Sequence, residues 1–163
     1  MDTGALADAY TGLTRAADAL AGPAAADVPA AAWWTLAHVA LSDELIAATA
    51  EQVRAGQPAA LDNAPAMAPA AIAELTARPW PELVGLVRRN AERLLAVLRE
   101  IPDERAGAAS VRTRLVDRDG NQVFAGEINW AGLVRARAEE HLPGHAARLT
   151  ALAGRPPARP ARA

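Results

Sequence analysis

The sequence predicts an all-α protein built as a four-helix bundle, with a small β-hairpin inserted before the last helix. Composition points to helices first: apolar residues make up 52% of the chain, alanine, the best helix former, supplies many of them, and aromatic residues only 4%. Four long segments then carry apolar residues at helical spacing, and one short segment alternates instead. At 163 residues the chain suits one domain with its own core.

The first helix is predicted from about Thr3 to Leu20, and Gly22-Pro23 ends it. The second starts near Pro29, continues to about Arg54 and stops at Gly56. Its apolar stripe advances in steps of four and three, through Trp34, His38, Leu41, Leu45 and Ala48.

A connection rich in proline and alanine follows from Gln57 to Pro69, and a short helix is predicted around Ile72 to Leu75. The third long helix begins at Pro79-Trp80-Pro81-Glu82, since proline is acceptable in a first turn. Ile101-Pro102 stops it.

Between the third and fourth helices the period changes. Val111 to Val116 alternates apolar and polar residues, Asp119-Gly120 is a turn signal, and Val123-Phe124 resumes the apolar pattern, which predicts a hairpin packed at one end of the bundle. The fourth helix is predicted from roughly Glu127 to Leu152. The domain therefore covers residues 1–153, and the proline- and arginine-rich residues 154–163 are predicted to be disordered.

Charge and residue usage exclude several classes of function. A net charge of −2 and a pI near 5.9 argue against nucleic-acid binding, which needs a basic face. The absence of cysteine excludes disulfides, thiolate ligands and a cysteine nucleophile. All 17 basic residues are arginine, which excludes Schiff-base chemistry and suggests a GC-rich bacterial source.

The expected location is the cytoplasm. Met1-Asp2-Thr3-Gly4 lacks the basic and apolar regions of a signal peptide. No apolar run reaches the roughly 20 residues needed to span a bilayer.

The three histidines form the strongest candidate site. His141 and His145 are four residues apart, so they share one helix face, on an inward stripe that also includes Trp130, Val134 and Leu149. His38 lies on the apolar stripe of the second helix. If these helices are neighbours, three imidazoles converge on a divalent metal and leave positions open for water or substrate. The alternative is that each is a hydrogen-bonded core histidine.

Leu142-Pro143-Gly144 interrupts the helix between two of these histidines. Proline cannot donate to the Glu139 carbonyl and crowds it, at a cost of about 3 kcal/mol in a helix interior. The interruption predicts a kink that shapes a pocket. Alternatively, the fourth helix ends near His141 and a new one starts at Pro143.

Two segments resemble the DinB-like superfamily. Ala37–Ile46 (AHVALSDELI), with tryptophans just upstream, is similar to the superfamily's helix-two segment. Trp130–Leu149 (WAGLVRARAEEHLPGHAARL) is similar to its last-helix motif. The branch it resembles most is the N-terminal, metal-binding domain of mycothiol-dependent maleylpyruvate isomerases, and the resemblance covers the chain up to about Leu152.

The resemblance implies up-down-down-up connectivity and a divalent metal, zinc or nickel. Carried over onto this sequence, the metal ligands are His38, His141 and His145. Family members often place the first ligand eight residues after a tryptophan, and eight after Trp34 is Ser42. The pattern His-x-x-x-x-Asp, completed by Asp43, favours His38, so His38 and Ser42 compete for that position.

The implied function is a metal-dependent thiol transferase or isomerase acting on a small molecule, with mycothiol as the candidate low-molecular-weight thiol. Glu140 and Asp43 are then candidates for acid, base or support of the ligand imidazoles, and Arg137 for pairing with a carboxylate. The competing role for all three is in surface or ion-pair contacts. The alternative function is a non-catalytic bundle that binds a metal, a small molecule or a partner. Family members often dimerise, and the sequence allows a homodimer without requiring one.

Overall fold

The computed structural model describes residues 1–21 and 28–154, which form mostly helices and a small three-stranded sheet. The predicted tail at residues 155–163 lies outside the described residues. Helices and strands, in chain order, are α1 (Gly4–Leu20), α2 (Ala30–Arg54), β1 (Ala59–Asp62), α3 (Ala64–Met67), α4 (Pro69–Thr76), α5 (Trp80–Arg99), α6 (Asp103–Ala108), β2 (Ser110–Val116), β3 (Gln122–Asn129), α7 (Trp130–Ala136), a π-helical turn (Arg137–His141) and α8 (Leu142–Ala153).

The long helices pack against one another in pairs. α2 packs on α5, α1 packs on α8, and α1 also contacts α5 and the π-helical turn. The buried apolar side chains form a core cluster between them, in which the largest fully buried members include Trp80, Trp130, Leu13, Leu36 and Leu94. Many of the remaining core residues are alanines, which let helix backbones approach closely.

The predicted hairpin is present as β2 and β3, which pair antiparallel around the turn that contains Asp119-Gly120. Gly120 has φ 84, a left-handed conformation that glycine adopts without a Cβ clash. The sequence pattern missed β1, which lies inside the segment expected to be an irregular connection. β1 pairs parallel with β2. Only four residues long, β1 is too short for its alternation to stand out, and α2 holds it through Gln52, which accepts from the Ala60 amide at 3.0 Å.

The start of the fourth helix at Glu127 was predicted wrongly. Glu127 belongs to β3, and α7 begins at Trp130. The Asn129 side chain accepts from the Gly132 amide at 3.1 Å and so caps the helix. The apolar pattern of the helix extends back into β3. The start of α7 is therefore marked by the capping residue Asn129 and not by the pattern.

Among the described residues, no helix combines the length and the apolar character needed to cross a membrane.

Candidate metal centre

His38 lies 103 positions before His141 in sequence, yet the three histidines lie together in the structure. His38 Nε2 and His141 Nε2 are 3.5 Å apart. The ring centroids of His141 and His145 are separated by 4.5 Å, and those of His38 and His145 by 5.4 Å. One ligand nitrogen from each ring lies within 4.8 Å of the others, so the three side chains could bind one metal ion.

Three different elements position these rings. His38 lies in the middle of α2, His141 ends the π-helical turn, and His145 lies in the first turn of α8. The turn is continuous with α8: the Leu142 amide donates to the Arg137 carbonyl, five residues back. Pro143 follows as the second residue of α8, and without an amide hydrogen it cannot close the regular helical bond to the Glu139 carbonyl. The predicted interruption is therefore a π-helical turn, a feature that often occurs at functional sites.

His38 is held in the orientation that a metal ligand needs. Its Nδ1 donates to the Ala66 carbonyl at 3.2 Å, which leaves Nε2 with a free lone pair facing the other histidines. The Trp34 ring stacks on the imidazole, with centroids 5.2 Å apart and planes within 11°. Ala66 belongs to the short helix α3, which no sequence pattern predicted.

His141 and His145 differ from His38 in their partners. His141 Nδ1 faces Arg137 Nη1 at 3.3 Å, and because a guanidinium only donates, this nitrogen accepts. In the neutral ring the proton is then on Nε2, the atom that faces His38. His145 Nδ1 is buried without a hydrogen-bond partner among the described residues. An orphaned buried nitrogen costs about 1–3 kcal/mol, a cost that a bound metal would remove if Nδ1 were the ligand atom.

All three imidazoles favour the neutral form that binds metals. Burial lowers the pKa of His38, and it lowers the pKa of His145 to about 4. Burial, aided by the nearby positive charge of Arg137, lowers the pKa of His141 to about 2. Protons therefore compete weakly with a metal for these nitrogens at neutral pH.

Beside the histidines lies a buried polar network centred on Arg137. Its guanidinium forms an ion pair with Asp43, donates to Ser42 Oγ at 3.2 Å and donates to the Tyr10 hydroxyl at 3.2 Å. Tyr10 in turn donates to Asp43. Burial raises the pKa of Tyr10, so this hydroxyl stays protonated. Burial also raises the pKa of the Asp43 carboxyl, and Arg137 opposes that shift by favouring the carboxylate.

Of the three residues predicted to act beside the metal, two are buried and one is exposed. Asp43 and Arg137 are buried and pair through Asp43 Oδ1, whereas Asp43 Oδ2 has no hydrogen-bond partner among the described residues. Arg137 also contacts His141. Glu140 is exposed and lines the two cavities described next. Ser42 donates to the Val39 carbonyl at 3.1 Å and accepts from Arg137, so His38, not Ser42, lies in the histidine cluster.

Two cavities meet at the histidines and share His38, His141, Met67 and Glu140 in their linings. The apolar cavity, of about 540 Å³, lies between α2, the sheet and α7, and its lining includes Leu45, Ile46, Leu61, Leu115, Ile128 and Leu133. The arginine cavity, also about 540 Å³, is lined by Trp34, Arg118, Arg148 and His145 among others.

The residues fit a divalent ion. Two imidazole nitrogens bound tetrahedrally to one zinc lie about 3.3 Å apart, given Zn–N bonds of about 2.0–2.1 Å. The observed 3.5 Å between His38 Nε2 and His141 Nε2 is close to this value and long for a hydrogen bond. Binding through His141 Nε2 requires its proton to leave that nitrogen, which the Arg137 contact opposes. Three protein ligands would leave a fourth position open, as a catalytic site requires and a closed structural site does not.

Comparison with known proteins adds no relative. No family model, no curated protein and no solved structure matches the chain.

Sequence reasoning missed several residues around the centre. Helical spacing in α1 does not distinguish Tyr10 from its apolar neighbours, yet its hydroxyl completes the Arg137 network. Arg118 and Arg148 were not singled out, and both line the arginine cavity. The signal for Arg148 was present, since it lies one turn after His145 on the same helix face. No signal marked Arg118, which a loop carries to the site.

Proposed function

We propose that this protein is a divalent-metal-dependent enzyme of the DinB-like type, a thiol-dependent transferase or isomerase that acts on a small molecule. The observation that carries the proposal is the convergence of three neutral imidazoles beside two cavities. The family assignment is supported by the two segments that resemble the superfamily, because all three histidines of the cluster lie within those segments. Four long helical segments packed together support a four-helix bundle with up-down-down-up connectivity.

A bound divalent ion would lower the pKa of a coordinated thiol or water and so supply a nucleophile at neutral pH. The chain's own residues prepare the site for it. Ala66 and Trp34 fix the His38 ring. Glu140 lies at the junction of the cavities, where an exposed carboxylate can accept a proton from an incoming thiol.

Metal analysis of the purified protein tests the proposal. We expect one divalent ion per chain after reconstitution with zinc or nickel, and its loss in His38→Ala and His145→Ala. Ser42→Ala is the matched control: it alters the same face of α2 but leaves the three imidazoles, so it should retain the metal. A protein that binds no ion under metal-replete conditions contradicts the proposal. Loss of the ion from Ser42→Ala with retention by His38→Ala would move the first ligand to Ser42.

A non-catalytic metal- or small-molecule-binding bundle is the second candidate. One observation favours it: Asp43 and Arg137, expected to act as acid, base or anion partner, are occupied by each other. Conjugation of mycothiol, bacillithiol and glutathione to a panel of small electrophiles separates the two functions. Turnover that requires the metal and falls at least tenfold in Glu140→Gln supports the enzyme. Ligand binding without turnover across the panel supports the bundle.

A further inference from the structure

The two cavities that meet at the histidines differ in chemistry. The apolar cavity exposes mainly aliphatic side chains; its charged lining residues are Arg137, which pairs with the buried Asp43, and Glu140, which lines both cavities. The arginine cavity instead presents Arg118 and Arg148, with Glu140 as the acidic group among the described residues that line it. Two arginines and one glutamate give this second cavity net positive charge.

The guanidinium of Arg118 is held in place by the structure around it. It lies 4.7 Å from the centroid of the Trp34 ring, a cation–π contact, and Trp34 stacks on His38. Arg118 belongs to the loop between β2 and β3, which Asp117 closes by accepting from the amides of Asp119 and Asn121 at 2.9 Å each. The loop therefore presents Arg118 over the edge of the histidine cluster.

Neither cavity arginine is neutralised by a carboxylate. Within residues 1–21 and 28–154, Arg118 and Arg148 form no ion pair, whereas Arg54, Arg88 and Arg114 each do. Unpaired guanidinium groups on one cavity wall are suited to a carboxylate or phosphate. A third cavity, of about 490 Å³, adjoins this wall and shares Trp34 and Arg118, so there is room for a ligand larger than a single ion.

We propose that the two cavities bind two different ligands at once: an anionic small molecule in the arginine cavity and an uncharged apolar one in the apolar cavity. They would meet at the histidines, where the shared residues His38 and His141 contact both. The interpretation of these two ligands as two reactants rests on the proposed function. It assigns the carboxylate- or phosphate-bearing reactant to Arg118 and Arg148, and the hydrophobic reactant to the wall that includes Leu133.

Calorimetric titration of the full chain, freed of metal by a chelator, tests the binding directly. The anionic probe is succinate, with uncharged succinamide as its control, and the apolar probe is 1-naphthol. We expect both probes to bind, each with a Kd changed less than about twofold by saturation with the other. Succinamide should bind at least tenfold more weakly than succinate. Because the titration uses metal-free protein, it succeeds or fails independently of the metal analysis.

Matched variants locate the two ligands. Arg118→Gln/Arg148→Gln should weaken succinate binding at least tenfold and leave naphthol binding within twofold. The control Arg112→Gln/Arg135→Gln removes the same charge from exposed positions outside the cavity and should leave both unchanged.

For the apolar cavity, Leu133→Gln should weaken naphthol binding at least fivefold, whereas Leu86→Gln, a half-buried leucine on α5, should not. Circular dichroism checks that each variant is folded. Mutual competition between the probes, equal effects of test and control variants, or no binding of succinate at millimolar concentration would overturn the inference.

Discussion

Removal of one partner from the ion pair between Arg137 and Asp43 is predicted to destabilise the protein strongly. Both side chains are buried, with 5% and 0% of their surfaces exposed. Removing one partner of a buried pair leaves the other charge uncompensated and costs about 3–5 kcal/mol. At about 2–4 °C per kcal/mol for a chain of this size, Arg137→Met should lower Tm by about 6–20 °C. Urea unfolding followed by circular dichroism at pH 7.5, with a chelator present, measures the free energy.

A double-mutant cycle separates the pair from the packing around it. Asp43→Asn keeps an acceptor for Tyr10 but leaves Arg137 unpaired, so it should also be destabilising. In Asp43→Asn/Arg137→Met no buried charge remains, and the loss should be at least about 2 kcal/mol smaller than the sum of the single losses. The double variant also frees His141 Nδ1 to carry the proton, so it should bind zinc more tightly than the unmutated protein. Additive losses, or single losses below about 1 kcal/mol, would refute the reasoning.

Other predictions concern the metal, pH and a helix cap. Zinc at 100 times its Kd should stabilise the fold by about 2.7 kcal/mol, measured as a rise in Tm that EDTA reverses and His38→Ala abolishes. Since the pKa values of His141 and His145 are lowered to about 2 and 4 from 6.5, the unfolded chain binds more protons below about pH 6.5. Acidification from pH 6.5 to 4 should therefore destabilise the metal-free protein by up to about 1.4 kcal/mol per pH unit for each histidine. Equal midpoints of urea unfolding at pH 7.5 and pH 5 would contradict this prediction. Asn129→Ala should cost about 1 kcal/mol in the same urea assay, because it removes the cap of α7.

The elements that the sequence predicted well are the ones with many repeats of their period. α2 and α5 span 25 and 20 residues, and their predicted starts at Pro29 and Pro79 agree with the structure to within a residue or two. β1, α3 and α6 have six residues or fewer, too few for a period to emerge from alanine-rich sequence. Their formation depends on tertiary contacts, such as those of β1 with α2 and β2, which no local pattern encodes.

The candidate site also has parts that the sequence predicted and parts that it did not. The inward positions of His38 and His145 follow from helical spacing, and the structure buries both. Their partners do not follow from it: the Ala66 carbonyl comes from a short helix, and Arg118 from a loop. Spacing tells which side chains share a face, but the orientation of a ring depends on groups that other elements bring to it.

Pro143 connects the helical spacing with the contacts at the site, because it affects the turn that precedes it. Without an amide hydrogen, it cannot close the regular helical bond to residue 139, and the turn before it widens to the π form. The widened turn begins at Arg137 and ends at His141. Arg137 is buried there, forms an ion pair with Asp43 and contacts His141. The proline that interrupts the histidine spacing thus follows a turn that contains both a histidine of the cluster and the buried arginine that contacts it.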